Sequence, residues 1–206
     1  MCQYRSAVVT MFNDNLKIYT LDGEDSHEDI REKYNIKDDY TTANRQEAIE
    51  FVPTGMLFDY KSYELRWDDS KPDWATPDVE DKIIRKMINI CKKDDLSNYK
   101  GYLSLSSLTS IPEGTTLSAG GYLYLESLTS IPEGTTLSAG GYLDLSSLTS
   151  IPEGVTLSAG GDLYLSSLTS IPEGVTLSAG GDLNLESLTS IPKGVKVNAQ
   201  HILLKS

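Results

Sequence analysis

Residues 101–120 read GYLSLSSLTSIPEGTTLSAG, and the same 20-residue string returns as GYLYLESLTSIPEGTTLSAG (121–140), GYLDLSSLTSIPEGVTLSAG (141–160), GDLYLSSLTSIPEGVTLSAG (161–180) and GDLNLESLTSIPKGVKVNAQ (181–200), with HILLKS left over at 201–206. Five units at one fixed period mark a solenoid, in which each unit is a coil stacked on its neighbour. The third and fifth places of every unit are Leu, from Leu103 and Leu105 to Leu183 and Leu185. That alternation predicts a short strand with leucines inward. Further apolar columns fall at Leu108, Ile111, Leu117 and Ala119. The spacing predicts one parallel sheet from x-L-x-L-x and a second from TTLSA or VTLSA, running the opposite way within each coil. Pro112 ends the connecting segment, Gly114 suits a turn with positive φ, and Gly120-Gly121 makes the other corner. Ser107 and Thr109 with their copies become hydroxyl columns.

Between the inward leucines the letters change. One outward column reads Tyr102, Tyr122, Tyr142, Asp162, Asp182; the next Ser104, Tyr124, Asp144, Tyr164, Asn184; the third Ser106, Glu126, Ser146, Ser166, Glu186. Tyrosines among short polar and acidic groups compose a protein-binding surface, since Tyr supplies large contact area at low entropy cost. The competing reading is a ladder of tyrosines that only stabilises the sheet. Glu113, Glu133, Glu153 and Glu173 form another column. Stacked like ordinary strands, these carboxylates recur roughly every 4.8 Å and either splay into water or meet a basic partner. Thr116 and Ser118 with their copies make a hydroxyl array similar to that of ice-binding solenoids, lapsing at Lys196 and Asn198.

The run L-x-L-x-x-L-T-S-I-P resembles a leucine-rich repeat, and LTSIPEG followed by GGxLxL is similar to short repeat proteins of bacteria and their phages. Two departures from the leucine-rich pattern stand out: the Asn column is missing, and so are two residues after the second strand leucine. The resemblance implies a bacterial or phage setting and inhibition of a host protein, for instance a component of antiviral defence; the cytoplasmic location expected in that host cell comes instead from the absence of a membrane-span or signal-peptide pattern and from the low cysteine count. CQYRSA and DSHEDI in the first hundred residues resemble small phage proteins.

Of 206 residues, 39% are hydrophobic, and the composition shifts near residue 100. Two domains follow as an expectation: residues 1–99, small and α+β, and residues 100–206, the solenoid. No apolar run is long enough for a membrane span, and MCQYRSAVVTMF lacks the layout of a signal peptide. Two cysteines, Cys2 and Cys91, suit a reducing compartment. The net charge of −12 divides evenly, with 21 acidic against 15 basic residues up to position 100 and 9 against 3 beyond it. That balance argues against nonspecific binding to nucleic acid or anionic membrane, which needs clustered Lys and Arg, and favours a basic or mixed protein surface as partner. An acidic mimic of nucleic acid is a further reading of the same charge.

In the first hundred residues, Tyr4 to Met11 and Leu16 to Leu21 read as a hairpin turned by Asn13-Asp14-Asn15. Ser26 with Asp29 has capping-box spacing for a helix. Gln46 to Val52 and Tyr63 to Trp67 read as strands. Thr76-Pro77 opens a helix with Val79, Ile83, Ile84, Met87, Ile88 and Cys91 on one face. The fold class expected is therefore an α+β N-terminal domain (β-β-α-β-β-α), whose last helix or adjacent strands cap the first coil, followed by a parallel β-solenoid of 20-residue leucine-rich-like coils.

For chemistry, Cys2 is the one nucleophile of interest. Removal of Met1 would expose a cysteine whose own amine assists its thiolate, with His27 as partner base, in a hydrolase or transferase that uses the solenoid for targeting. A buried or incidental thiol is the plainer reading. Asp22, Glu24, Asp25 and Asp29 do not meet the EF-hand spacing, and a capped helix start accounts for them. No metal and no cofactor are expected. The preferred expectation is a non-enzymatic binding module that uses Tyr102, Tyr122, Tyr124, Tyr142, Asp144, Asp162, Tyr164 and Asp182, flanked by Glu126 and Glu186.

Overall fold

The computed structural model describes residues 5–12, 15–21, 26–36, 45–68, 70–92 and 96–206. Asn13 and Asp14 of the expected turn lie outside the described residues, as do Cys2, Asp22, Glu24 and Asp25. The chain divides into two units, residues 1–53 with 58–94, and residues 54–57 with 95–206.

The first unit runs β1 (Arg5–Phe12), β2 (Asn15–Tyr19), α1 (His27–Lys33), β3 (Arg45–Pro53), a 3₁₀ turn (Tyr60–Ser62), β4 (Tyr63–Trp67) and α2 (Pro77–Cys91). The expected order is met in part, because the 3₁₀ turn intervenes between the last two strands. The four strands form one antiparallel sheet in the order β2-β1-β3-β4. Alternating Ala7, Val9, Ile49 and Phe51 are buried, as are their neighbours Val8 and Val52, so the sheet is covered over much of both faces. The Ser26 hydroxyl caps α1 by accepting the Asp29 N–H at 3.1 Å. Thr76 stands at the N-cap of α2 without a side-chain bond, and Pro77 supplies the preset φ of the first turn. Ile83, Met87, Ile88 and Cys91 form the buried stripe of α2 at helical spacing.

In the second unit each coil gives one strand to each of two parallel sheets. These are β5 (Leu103–Ser104) and β6 (Thr116–Ala119), β7 (Leu123–Tyr124) and β8 (Thr136–Ala139), β9 (Leu143–Asp144) and β10 (Thr156–Ala159), β11 (Leu163–Tyr164) and β12 (Thr176–Ala179), β13 (Asp182–Leu185) and β14 (Lys196–Asn198), with β15 (His201–Leu204) last. The sheets run β5 to β15 through the odd strands and β6 to β14 through the even ones. Register is strict: Leu123 faces Leu143 and Tyr124 faces Asp144, while Leu137, Leu157 and Leu177 line up across the second sheet. Parallel stacking at one period therefore turns every repeat position into a column.

The six expected apolar columns are interior through the first four coils. Leu103, Leu105 and Leu108 are 0% exposed, and their copies are buried. Each fully buried Leu contributes about 1.5–3 kcal/mol, so neighbouring coils complete one another's core. A seventh column, which the spacing does not reveal, joins them: Thr135, Val155 and Val175 are also buried. The Thr135 hydroxyl donates to the Pro132 carbonyl at 2.7 Å, which removes the cost of burying it beside valine equivalents. At Gly114 and its copies φ lies between +69° and +85°, as the turn reading requires. Thr149 and Thr169 donate their hydroxyls to the Thr129 and Thr149 carbonyls at 3.0 and 3.1 Å, forming the expected corner ladder.

The first coil pairs with two short segments. Gly55 accepts the Thr109 N–H at 3.0 Å, and Leu57 donates to Ser110 O at 3.2 Å. Tyr99 donates to Ser118 O at 2.9 Å, and Ser118 donates to Leu96 O at 2.7 Å. Nothing in the letters TGML announces that residues 54–57 pair here.

Candidate functional site

Because Leu103 and Leu105 point inward, residues 102, 104 and 106 and their copies stand on the outer face of the odd-strand sheet. The tyrosines gather there. The rings of Tyr102 and Tyr122 lie 4.9 Å apart and tilted, and those of Tyr122 and Tyr142 lie 4.8 Å apart within 5° of parallel. Tyr124 meets Tyr122 edge-on at 6.0 Å, and Tyr164 meets Tyr142 edge-on at 6.2 Å. Five rings thus form one continuous aromatic surface in offset-stacked and T-shaped contacts. Tyr102 is 53% and Tyr142 40% exposed, while Tyr122, between them, is half-buried.

The corner glycines hold this surface in place. A methyl group at Gly121 would fall 2.5 Å from Tyr102 Cδ1, and one at Gly161 would fall 2.7 Å from Tyr142 Cδ1. Gly141 lies under Tyr122 in the same way. The second glycine of the first three Gly-Gly pairs therefore makes room for a ring from the preceding coil, and Gly181 does the same for the Asp162 carboxylate.

The carboxylates of the face divide into those with partners in the chain and those without. Asp144 Oδ1 accepts the Ser146 N–H at 3.0 Å, and Asn184 does the same for Glu186 at 3.2 Å. Asp162 Oδ1 accepts the Asp182 N–H at 2.8 Å, and its Oδ2 accepts the Tyr164 hydroxyl at 3.2 Å. Asp182 Oδ1 sits 2.7 Å from His201 Nδ1. Glu186 is exposed, whereas one oxygen of Glu126 is occluded from solvent with no hydrogen-bond partner. Desolvation, then repulsion from Tyr122, Glu126 and Asp144, raises Tyr124 above the ordinary tyrosine pKa. Tyr164 is raised by desolvation and by its hydrogen bond to Asp162. Both hydroxyls stay protonated and can donate.

Other sequence candidates lie elsewhere. Glu113, Glu133, Glu153 and Glu173 are exposed in the turns that lead into the even-strand sheet, separate in the coil from the tyrosine columns. Thr116, Thr136 and Thr156 are exposed on that second sheet, where the Ser138 hydroxyl donates to Ser118 Oγ at 2.8 Å. His27 has both ring nitrogens engaged, Nε2 at 3.1 Å from Ile49 O and Nδ1 at 2.7 Å from Asp68 Oδ2. These contacts tie α1 to β3 and to the residue after β4. Cys91 is buried at the end of α2. Among the described residues no group of three or more His, Cys, Asp or Glu could hold a metal, and no helix is long and apolar enough to cross a membrane.

The changing outward letters locate the face. The ring-supporting role of Gly121, Gly141 and Gly161 has no signal in the sequence, because only coil stacking brings a ring onto the next corner. No family model, no curated protein and no solved structure matches this chain, and none of these comparisons links its repeat to leucine-rich or phage proteins.

Proposed function

We propose that the outer face of the odd-strand sheet is a docking surface for another protein, one that offers a basic and partly apolar segment, and that the chain works by binding rather than by catalysis. The observation that carries this reading is the single aromatic surface of Tyr102, Tyr122, Tyr124, Tyr142 and Tyr164. Rings already held by stacking and by the glycines beneath them lose little freedom on binding, the feature that makes tyrosine an effective contact residue. Charge supports the same partner. Residues 101–192 contain nine Asp or Glu and no Lys, Arg or His. Lysine or arginine from a partner would gain both carboxylate and ring contacts there. The bacterial or phage setting, and the inhibition of a host protein, rest on the repeat resemblance alone and join the proposal on that footing.

The test is capture from bacterial lysate by the full chain, with mass-spectrometric identification and comparison of variants. Tyr122→Ala with Tyr142→Ala should lose the partner, whereas Glu133→Gln with Glu153→Gln should keep it. Capture should weaken as salt rises, since the charges are solvent-exposed. Capture that survives the tyrosine changes would move the site to the first unit.

A further inference from the structure

A surface cleft lies in the first unit, beside α2. Arg85, Ile88, Asn89 and Lys92 fall at i, i+3, i+4 and i+7 and so share one helix face, with its two cations about 10 Å apart along the axis. The middle of that face is apolar and buried at Ile88. Opposite stands the turn Phe58-Asp59-Tyr60, and the open cleft between them has a volume of about 280 Å³.

Three observations single out this cleft. Phe58 has φ +63°, a left-handed conformation that costs a bulky side chain free energy and is retained only when neighbours impose it. The imposing contact is the Tyr63 hydroxyl, which accepts the Phe58 N–H at 3.1 Å. Tyr63 is itself buried and stacked on Phe51 at 4.4 Å. Second, the acid in the cleft is turned back on its own chain: Asp59 keeps its charge but accepts the Lys61 N–H at 3.2 Å and the Ser62 hydroxyl at 3.3 Å. Third, the cations are placed. Asp81 holds Arg85 Nε at 2.7 Å, which sets the guanidinium 4.2 Å from the Tyr60 ring centroid, while Lys61 Nζ lies 5.8 Å from the same centroid. Lys92 is exposed at the end of α2, where its charge offsets the negative end of the helix dipole.

We propose that this cleft binds a small organic anion with a flat apolar body, an aromatic carboxylate or phosphate. Its charged group would sit between Arg85 and Lys92 within reach of the Asn89 amide, and its ring against Phe58 and Ile88. A volume near the lower end for ligand pockets limits the body to about one ring system. Guanidinium and ammonium groups pair with carboxylate or phosphate through charge-assisted hydrogen bonds. A protein of net charge −12 concentrates no anions at its surface, so occupancy would depend on this local geometry.

The experiment uses the full chain with four probes, benzoate, phenyl phosphate, inorganic phosphate and benzylamine, followed by calorimetry and amide chemical-shift mapping. Benzoate and phenyl phosphate should bind saturably at millimolar concentration or below, with shifts confined to residues 58–60 and 85–92. Inorganic phosphate should bind more weakly than either, and benzylamine should not bind. Arg85→Gln and Lys92→Gln should each weaken benzoate by about tenfold or more. Lys82→Gln, which removes an exposed α2 cation outside the cleft, should leave it unchanged. Far-UV circular dichroism checks folding, and Phe58→Gly, which keeps the backbone conformation but removes the apolar contact, is a second variant that should weaken benzoate. Absence of saturable binding, equal binding of benzylamine, or equal loss in Lys82→Gln would overturn the proposal.

Discussion

The rings of Tyr122 and Tyr142, twenty residues apart in sequence, stack 4.8 Å apart and within 5° of parallel. Tyr142 also takes the edge of Tyr164 at 6.2 Å, so it joins two columns. Truncating it removes two ring contacts, each contributing about 0.5–1.5 kcal/mol. Tyr142→Ala should therefore lower unfolding free energy by about 1–3 kcal/mol in urea titrations. Tyr142→Phe should stay near wild type, which separates loss of the ring from loss of the hydroxyl when partner capture is compared.

Glycines of the repeat should differ sharply in tolerance. A Cβ at Gly160 would overlap the carbonyl oxygen of Gly140 in the preceding coil, and that backbone cannot move without unstacking the sheet. Gly160→Ala should cost at least about 3 kcal/mol, the upper part of the overpacking range. Gly154 has φ +70° with nothing within 4 Å of the place a methyl group would take, so Gly154→Ala should cost only the left-handed penalty of about 1–2 kcal/mol. Thermal melts of the two variants side by side test the distinction.

The seventh interior column yields a substitution expected to be mild. Thr135 occupies the place of Val155 and Val175, and its hydroxyl is satisfied by Pro132 O at 2.7 Å. Thr135→Val trades one hydrogen bond for a buried methyl group and should change stability by less than about 1 kcal/mol. Leu137→Ala, on the adjacent strand, should cost about 2–5 kcal/mol because it opens a cavity between coils. Chemical denaturation of both variants checks the pair.

Alkaline pH should act on the first unit through Tyr63. Burial, with the Cys91 thiol adding to it, raises this hydroxyl well above the ordinary tyrosine value, against the lowering effect of the Phe58 N–H. The folded-state value exceeds the unfolded one, so the stabilisation is complete below about pH 10 and is lost as pH rises through the folded value. Denaturation midpoints should fall through that window in wild type. Tyr63→Phe should flatten the fall, while lowering stability at neutral pH by leaving the Phe58 N–H without its acceptor. An equal alkaline fall in both proteins would assign the effect to other tyrosines.

The solenoid is legible in the sequence because its decisive signal is local. A strict 20-residue period and the alternation at Leu103 and Leu105 state which side chains turn inward before any coil meets another. The same letters leave Tyr102, Tyr122 and Tyr142 outward and in a row. Ser26 with Asp29, and Thr76 with Pro77, likewise mark helix starts from chain-local chemistry alone. What only the tertiary structure decided depends on groups far apart in the chain. It seats Tyr142 over Gly161, places Thr135 in the core beside valines, pairs Gly55 with Thr109, and holds His27 between Ile49 and Asp68. The left-handed Phe58 belongs to the same class, since its cause is a hydroxyl five residues on that packing fixes in place. Periodicity reports the direction of a side chain, whereas its neighbour is set by how separate coils and elements pack, a property no single stretch of sequence carries.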